Sequence, residues 1–205
     1  DGLDLSVAEG DFLVIFGANG AGKTTLLKAL ATLARPDAGQ MLIHGLDVRE
    51  HAQQVRALIG YVGHHTLLYG ELTVRENLLF YGRMYGVEAL PSRIEEVACL
   101  LGVQDRLYER VDRLSHGLQK RAAIARAILH APPVLLADAP ESGLDPEALA
   151  ALGETLAIEG ETRRTVVMTT HNLEQGVALG NRVAVLAHGR IAYQERSTDA
   201  DVALL

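Results

Sequence analysis

The residues with the clearest chemical potential form a glycine-rich turn, Gly17-Ala-Asn-Gly-Ala-Gly-Lys-Thr-Thr25. Its glycines let the backbone curl so that successive N–H groups point inward at an anion, and the N-terminus of a following helix adds partial positive charge. Lys23 would reach the β and γ phosphates of a nucleoside triphosphate, and the Thr24 hydroxyl would take one coordination position on Mg²⁺. The residues predicted to contact nucleotide are Gly17, Ala18, Asn19, Gly20, Ala21, Gly22, Lys23, Thr24 and Thr25.

The segments on either side of this turn support a phosphate-binding loop. Residues 12–16 are an uncharged β-branched and aromatic run typical of a buried strand, and residues 23–30 have the composition of a helix. An ordinary glycine-rich surface turn is the alternative. The pattern Gly-x4-Gly-Lys-[Ser/Thr] arises by chance at roughly 3 to 4 positions in 100,000, so we favour nucleoside triphosphate binding.

The remaining pattern predicts an α/β fold with a mainly parallel sheet and antiparallel edge strands, because strands alternate with helices. Residues 1–7 alternate as an edge strand would, and residues 182–186 and 190–193 flank His188-Gly189 as a hairpin. Further strands are predicted at 41–44, 59–62, 134–138 and 165–170, short helices at 52–57 and 173–179, and a longer helix at 145–158.

The middle of the chain has helical patterns and no convincing strand. Thr73-Val-Arg-Glu76 and Ser92-Arg-Ile-Glu95 both match a capping box, and Gly86 and Gly102 would end the two helices. We predict one domain over 1–205, in which 1–65 and 131–205 form the α/β core and 66–130 an inserted helical subdomain.

Bulk composition limits the classes of function. The chain has 205 residues, 48% of them hydrophobic, and a formal net charge of −7. That charge argues against a broad nucleic-acid surface, so no nucleic-acid partner is expected. No apolar stretch is long enough to cross a bilayer and no leader opens the chain, so we expect a protein that is soluble or held at a membrane by a partner. The single cysteine, Cys99, is predicted to be a small buried hydrophobe in a reducing compartment.

Four further motifs indicate which class of nucleoside triphosphatase this chain resembles. They are Leu114-Ser-His-Gly-Leu-Gln-Lys-Arg121, then Asp138 at 23 residues after Ser115, then Ser142-Gly-Leu-Asp145, then Thr170-His171 at a strand end. Their order and spacing resemble the ATP-binding cassette (ABC) ATPases over nearly the whole chain. The resemblance implies a RecA-like P-loop NTPase core, ATP and Mg²⁺ as ligands, and ATP hydrolysis as the reaction.

Each matched motif then has an implied role. Asp138 would lie beside Mg²⁺ opposite Thr24; the alternative is that it only caps a neighbouring loop. His171 would contact the γ-phosphate; the alternative is that it is a structural histidine. The segment beginning at Ser115 is similar to the family's signature motif, which grips the γ-phosphate bound by a second copy, although an ordinary helix N-cap explains Ser115 equally well. The residues implied to act across such a dimer are Ser115, Gly117, Leu118, Gln119 and Asp145.

Two positions depart from the family pattern. Ala139 stands where the family places the glutamate that polarises the attacking water, and alanine can neither accept a proton nor orient water. Hydrolysis is therefore expected to be slow or absent; Glu141 is a weak substitute because Pro140 intervenes. His64 stands where the family has glutamine, and its imidazole can still donate or accept a hydrogen bond near Mg²⁺ and the attacking water.

The resemblance also implies partners and a location. The leading prediction is the ATP-binding subunit of an ABC transporter, dimeric with itself, peripheral on the cytoplasmic face and coupled to an integral-membrane subunit. The membrane subunit would dock in a groove near the start of the helical subdomain. Its predicted lining residues, unless they pack internally, are Leu67, Leu68, Tyr69, Tyr81 and Tyr85.

Narrower and competing interpretations stay open. The loops around His64 and Ser115 look closest to the ATPase subunits of haem exporters serving cytochrome c maturation. Ala139 supports a second hypothesis, a non-hydrolysing ATP-dependent clamp or degenerate half-site. A soluble ABC protein acting on nucleic acid or ribosomes is a third, and the net charge of −7 weighs against it.

Overall fold

The fold is built on one six-stranded sheet with helices on both faces. The computed structural model describes residues 2–141, 153, 158–159 and 162–200. The sheet contains β1 (Phe12–Phe16), β4 (Ile59–Val62), β5 (Val134–Asp138), β8 (Thr165–Thr169), β9 (Arg182–Ala187) and β10 (Arg190–Arg196). Its order is β10-β9-β1-β8-β5-β4, and every pairing is parallel except that of β10 with β9. The predicted α/β class with a mainly parallel sheet and an antiparallel edge strand is confirmed.

Smaller elements complete the described part of the chain. Two short antiparallel ladders join β2 (Leu42–Ile43) to β3 (Leu46–Asp47) and β6 (Ile158–Glu159) to β7 (Thr162–Arg163). The α-helices are α1 (Lys23–Leu30), α2 (Ala52–Leu58), α3 (Val74–Met84), α4 (Leu90–Leu100), α5 (His116–Ile128) and α6 (Leu173–Leu179), with 3₁₀ turns at Gln104–Arg106 and Val111–Arg113.

Strand β1 shows why the central strands are apolar along their whole length. Alternate side chains of a strand point to opposite faces. Phe12, Val14 and Phe16 pack into a core shared with α3, α4 and α5, whereas Leu13 and Ile15 pack into a second core with α1 and α2. Because helices cover both faces, all five residues are buried.

The parallel arrangement brings functional loops to one edge. The carboxyl ends of β1, β5 and β8 lie side by side, and β4 ends at the same edge next to β5. The glycine-rich turn follows β1, Ala139 follows β5, Thr170-His171 follows β8, and Gly63-His64 follows β4. Ligands of open parallel sheets bind at this edge.

The helical middle agrees in part with the sequence pattern. The capping box at Thr73 is formed: its hydroxyl accepts from the Glu76 N–H, and the Glu76 carboxylate accepts from the Thr73 N–H. The second predicted box is wrong, because α4 begins at Leu90 and Ser92 lies inside the helix. Ala89, with φ of 46°, is the N-cap there. The division into a core and a helical subdomain stays a prediction.

Three other local predictions are wrong or lie outside the described residues. Residues 2–7 form no strand; Leu3, Leu5 and Val7 instead pack against the core under α1. Cys99 is exposed rather than buried, because it lies on the face of α4 opposite Val97 and Ala98. The helix predicted over 145–158 lies mostly outside the described residues, and Ile158 belongs to β6.

Strand β4 approaches α5 so closely that Gly60 has no room for a side chain. A Cβ at Gly60 would collide with the Ala127 carbonyl oxygen of α5 and with the Leu135 side chain. Gly60→Ala is therefore expected to lower the free energy of unfolding by about 1–3 kcal/mol, measured by urea denaturation. The control is Gly70→Ala, where a Cβ would meet only the Asp112 Cβ at 3.5 Å. Equal midpoints for both variants would contradict the close approach.

Candidate functional site: a phosphate-binding loop at the sheet edge

The glycine-rich turn has the backbone shape that its sequence predicts. Gly17, Gly20 and Gly22 have φ values of 149°, 82° and 106°, in the region that favours glycine. Gly22 is the N-cap of α1 and has no side chain to cap the helix, so the first N–H groups of α1 stay available for an anion. At Gly17 a Cβ would also collide with the Leu186 carbonyl oxygen. The shape of the loop therefore depends on glycine at these positions.

The Lys23 side chain lies inside this loop and hydrogen-bonds to its backbone. Its Nζ donates to the carbonyl oxygens of Gly17 at 2.6 Å and Ala18 at 3.1 Å, and the side chain is buried. Burial lowers the pKa of Lys23, and the nearby Asp138 carboxylate acts in the opposite direction. The ammonium group is thus preorganised in the loop where phosphate charge is predicted to lie.

A cavity of about 310 Å³ opens beside the loop and brings together residues from four strand ends. His64, Asp138, Ala139 and His171 all line it, although they are far apart in sequence. The lining residues are Asn19, Gly20, Ala21, Gly22, Lys23, Thr24, Thr25, His64, Asp138, Ala139, Thr169 and His171.

Asp138 is fixed by a hydrogen-bond network with the neighbouring strand. The Thr169 hydroxyl donates to Asp138 Oδ1 at 2.8 Å and accepts from the Ala139 N–H at 3.1 Å. The Ala139 N–H also donates to the Thr169 carbonyl at 3.1 Å. Thr169 is a site residue that the sequence analysis missed, because a threonine inside a β-branched strand has an adequate explanation in strand propensity.

The oxygen atoms on this cavity fit Mg²⁺ held mainly by a nucleotide. Thr24 and Asp138 both line the cavity, and their hydroxyl and carboxylate are hard oxygen donors. Within the described residues, no group of three or more His, Cys, Asp or Glu side chains could hold a metal by itself. Mg²⁺ is commonly bound by one or two protein oxygens plus substrate phosphates, so this sparse donor set agrees with that arrangement.

Glu141 contacts the loop that carries His171. Its Oε1 accepts from the Thr170 hydroxyl at 2.7 Å and from the His171 N–H at 3.4 Å. The Thr170 hydroxyl in turn accepts from the N–H of Asn172, the N-cap of α6. Glu141 does not line the cavity, and one oxygen of its carboxylate holds the backbone at His171.

The predicted trans-acting residues lie at the tip of α5. Ser115 is the exposed N-cap, and its hydroxyl accepts from the Leu118 N–H at 3.4 Å. The Gln119 side chain donates to the carbonyls of Val111 and Leu114, and Gly117 is half-buried. None of these residues lines the cavity around Lys23 in its own subunit. Asp145 lies outside the described residues.

An exposed apolar surface lies on α3 and the loop before it. Leu67, Tyr69, Phe80 and Met84 are 44–58% exposed, and Phe80 packs edge-on against Tyr69. We call these four residues the α3 patch. Sequence analysis named Leu67 and Tyr69 but missed Phe80 and Met84, since exposure of one helix face depends on what the opposite face covers.

The other predicted groove residues pack internally. The Tyr81 hydroxyl donates to the Leu67 carbonyl at 2.6 Å, and Leu68 lies against the core. Tyr85 stacks on the His130 ring, with centroids 4.0 Å apart. In the described part of the chain, no helix has the length and apolar character needed to span a bilayer.

A phosphate-binding loop at the carboxyl edge of a mostly parallel sheet defines a nucleotide-binding α/β domain. The chain belongs to the ABC transporter family: the family model described as "ABC transporter" matches residues 1–142. This result confirms the resemblance to ABC ATPases.

Known relatives and structures agree with this assignment. The ABC transporter ATP-binding protein NatA of Bacillus subtilis is 33% identical over 195 residues, covering 94% of this chain and 79% of NatA. The Nod factor export ATP-binding protein I of Paraburkholderia xenovorans is 37% identical over 192 residues, covering 93% of this chain and 63% of that protein. The dimeric bacterial ABC transporter cassette MJ0796 superposes with a TM-score of 0.87 at 27% identity, covering 95% of this chain and 89% of MJ0796.

Proposed function

We propose that this protein is the ATP-binding subunit of an ABC transporter, in which ATP binding closes two copies of the subunit and closure moves an integral-membrane partner. The observation that carries this proposal is the cavity beside the phosphate loop, which collects Lys23, Thr24, Asp138, His64 and His171. Family membership and the names of the relatives support ATP as the nucleotide.

The residues divide the work of holding the triphosphate. The backbone N–H groups of the loop and the α1 N-terminus bind phosphate oxygens, and Lys23 adds a charge-assisted donor. Thr24 and Asp138 would hold Mg²⁺, which when bound offsets the charge of the phosphates. His64 and His171 follow β4 and β8, the strands on either side of β5, and in this proposal they contact the γ-phosphate and the water beside it.

A second copy is needed to complete the site. Ser115 is exposed, marks the N-terminus of the 13-residue helix α5, and does not line its own subunit's cavity. A helix N-terminus with an exposed hydroxyl and N–H groups suits a phosphate presented by another molecule. The dimeric assembly described for MJ0796 supports this arrangement.

Hydrolysis by this chain is proposed to be slow, because Ala139 occupies the wall where a general base would stand. Ala139 also supports the alternative function, a non-hydrolysing ATP-dependent clamp or a degenerate half-site. Glu141 is a weak substitute in this proposal, since it does not line the cavity and its Oε1 accepts from Thr170 and His171.

The α3 patch is the proposed docking surface for the membrane partner. Its exposed aromatic and aliphatic side chains suit an amphipathic helix that lays an apolar face on them. Such docking would keep the protein peripheral on the cytoplasmic face. The haem exporter assignment remains a narrower proposal on the loops around His64 and Ser115, and co-purification with a haem-handling membrane subunit would test it.

Removing the Ser115 hydroxyl tests the two-copy site. Ser115→Ala is expected to weaken ATP-dependent dimerisation by at least ~10-fold, because one hydrogen bond to a charged phosphate is worth about 1.5–3 kcal/mol. Analytical ultracentrifugation with Mg²⁺ and ATP measures the dimer dissociation constant.

Thr73→Ala is the matched control for Ser115→Ala. Thr73 is also a helix N-cap, at α3, and its loss should cost about 1 kcal/mol of stability without changing dimerisation. Equal weakening of the dimer by both variants would show that Ser115 acts only as an N-cap.

A further inference from the structure

The outer edge of strand β4 is covered by side chains from α5 and by His130, which lies just after that helix. β4 is the last strand of the sheet, so carbonyls pointing away from β5 have no strand partner. The Ile59 carbonyl contacts His130 Nε2 at 3.1 Å, and the Tyr61 carbonyl accepts from Arg126 Nη2 at 2.6 Å. Just beyond the strand, the Gly63 carbonyl accepts from Lys120 Nζ at 3.1 Å.

Two of these contacts use buried cations, Lys120 and Arg126, which are costly to remove from water. Lys120 is 5% exposed and Arg126 is 7% exposed, and burial lowers the pKa of both. Taking a cation out of water costs several kcal/mol, and apolar residues of similar volume are often at least as stabilising. Stability alone therefore does not explain why a lysine occupies this buried position.

Lys120 joins two parts of the proposed site. It lies on α5, whose N-cap is Ser115, and it holds the carbonyl of Gly63, the residue directly before His64. The carboxylates of Glu141 and Asp138 act on its ammonium group electrostatically, so Lys120 also lies near the end of β5. A rigid helix can therefore pass a displacement at Ser115 to His64 through one hydrogen bond.

We propose that Lys120 is a positioning residue that couples the Ser115 tip of α5 to the His64 side of the nucleotide cavity. This inference rests on the proposed function. When a second copy's phosphates engage Ser115, α5 and the Gly63 carbonyl move together, and His64 is set in its place beside the γ-phosphate. Arg126 of α5 and His130, two residues after the helix, hold the rest of β4.

Nuclear magnetic resonance of the whole chain tests the coupling. Mg²⁺ and ATP are titrated while the His64 ring signals and the Gly20 and Gly22 amide signals are followed. In the unmodified protein both sets should shift. In Lys120→Met the glycine amides should still shift, with a dissociation constant within about threefold of the parent, whereas the His64 response should fall at least fivefold. The dimer dissociation constant should rise about tenfold.

The control variant is Arg121→Met. Arg121 is the next residue of α5, and its guanidinium contacts the Leu101 carbonyl at 3.4 Å, away from β4. It should leave the His64 response intact. If Lys120→Met does not fold, Lys120→Gln, which keeps a polar head of shorter reach, is compared in the same way.

The outcomes separate this inference from the proposed function. A full His64 response in the folded Lys120 variant overturns the coupling but leaves the nucleotide site in place. Glycine amides that do not shift in the unmodified protein overturn the proposed function, and with it the coupling. An equal loss of the His64 response in Arg121→Met also overturns the inference, since it would reflect a general change in α5.

Discussion

Lys23→Met is expected to weaken Mg²⁺-ATP binding by at least ~100-fold. The Lys23 ammonium group is buried inside the phosphate loop, where it donates to the Gly17 and Ala18 carbonyls. A bound triphosphate would take over these donors, and charge-assisted hydrogen bonds are about twice as strong as neutral ones. Methionine keeps the apolar stem but has no donor, so the phosphates lose this charged partner.

Isothermal titration calorimetry with Mg²⁺ and ATP measures this loss. Lys28→Met is the matched control, because Lys28 lies in the last turn of the same helix and is exposed. It should bind ATP as the parent does. If the ATP dissociation constant of Lys23→Met stayed within threefold of the parent's, the triphosphate would not lie in the loop, and the proposed site would be wrong.

The phosphate loop could be predicted from sequence because its causes are local. Three glycines with positive φ, an apolar strand before them and a helix after them all lie within residues 12–30. The hairpin at His188-Gly189 was predictable for the same reason, since both residues have positive φ. A short segment determines its own backbone in these cases.

The errors arose where tertiary packing outweighs a local pattern. Ser92 and Glu95 match a capping box, yet α4 begins earlier, at Leu90, and Arg93 donates to the carbonyls at the end of α5. The alternation of residues 2–7 is real, but the structure pairs it with no strand. Periodicity alone does not say whether a partner strand is within reach.

The contacts between α5 and β4 were not predictable for a related reason. Lys120 and Gly63 are 57 residues apart, and a lysine in a helix is ordinarily solvated. Only the sheet order, which places β4 at the edge beside β5, shows that its free carbonyls need donors from α5.

Restoring a carboxylate at position 139 is expected to give the largest gain in activity. Ala139→Glu should raise the single-turnover rate of ATP hydrolysis by about 10²- to 10⁴-fold, the usual contribution of a general base. Ala139 lines the cavity next to Asp138, and its N–H is held by the Thr169 carbonyl and hydroxyl, so a longer side chain there starts from a fixed backbone. Its φ of 45° is in the left-handed region for alanine and glutamate alike, so the substitution adds little new backbone strain.

Ala139→Gln is the control that separates proton acceptance from bulk. Glutamine has the size and hydrogen-bonding reach of glutamate but accepts no proton at neutral pH, so it should bind Mg²⁺-ATP and dimerise while hydrolysing no faster than the parent. Radiolabelled phosphate release in a single turnover, with enzyme in excess over ATP, compares the three proteins. A gain in glutamate alone assigns slow hydrolysis in this chain to one missing base. Equal rates for glutamate and glutamine would place the attacking water elsewhere, and the non-hydrolysing clamp would then be the better description of the protein.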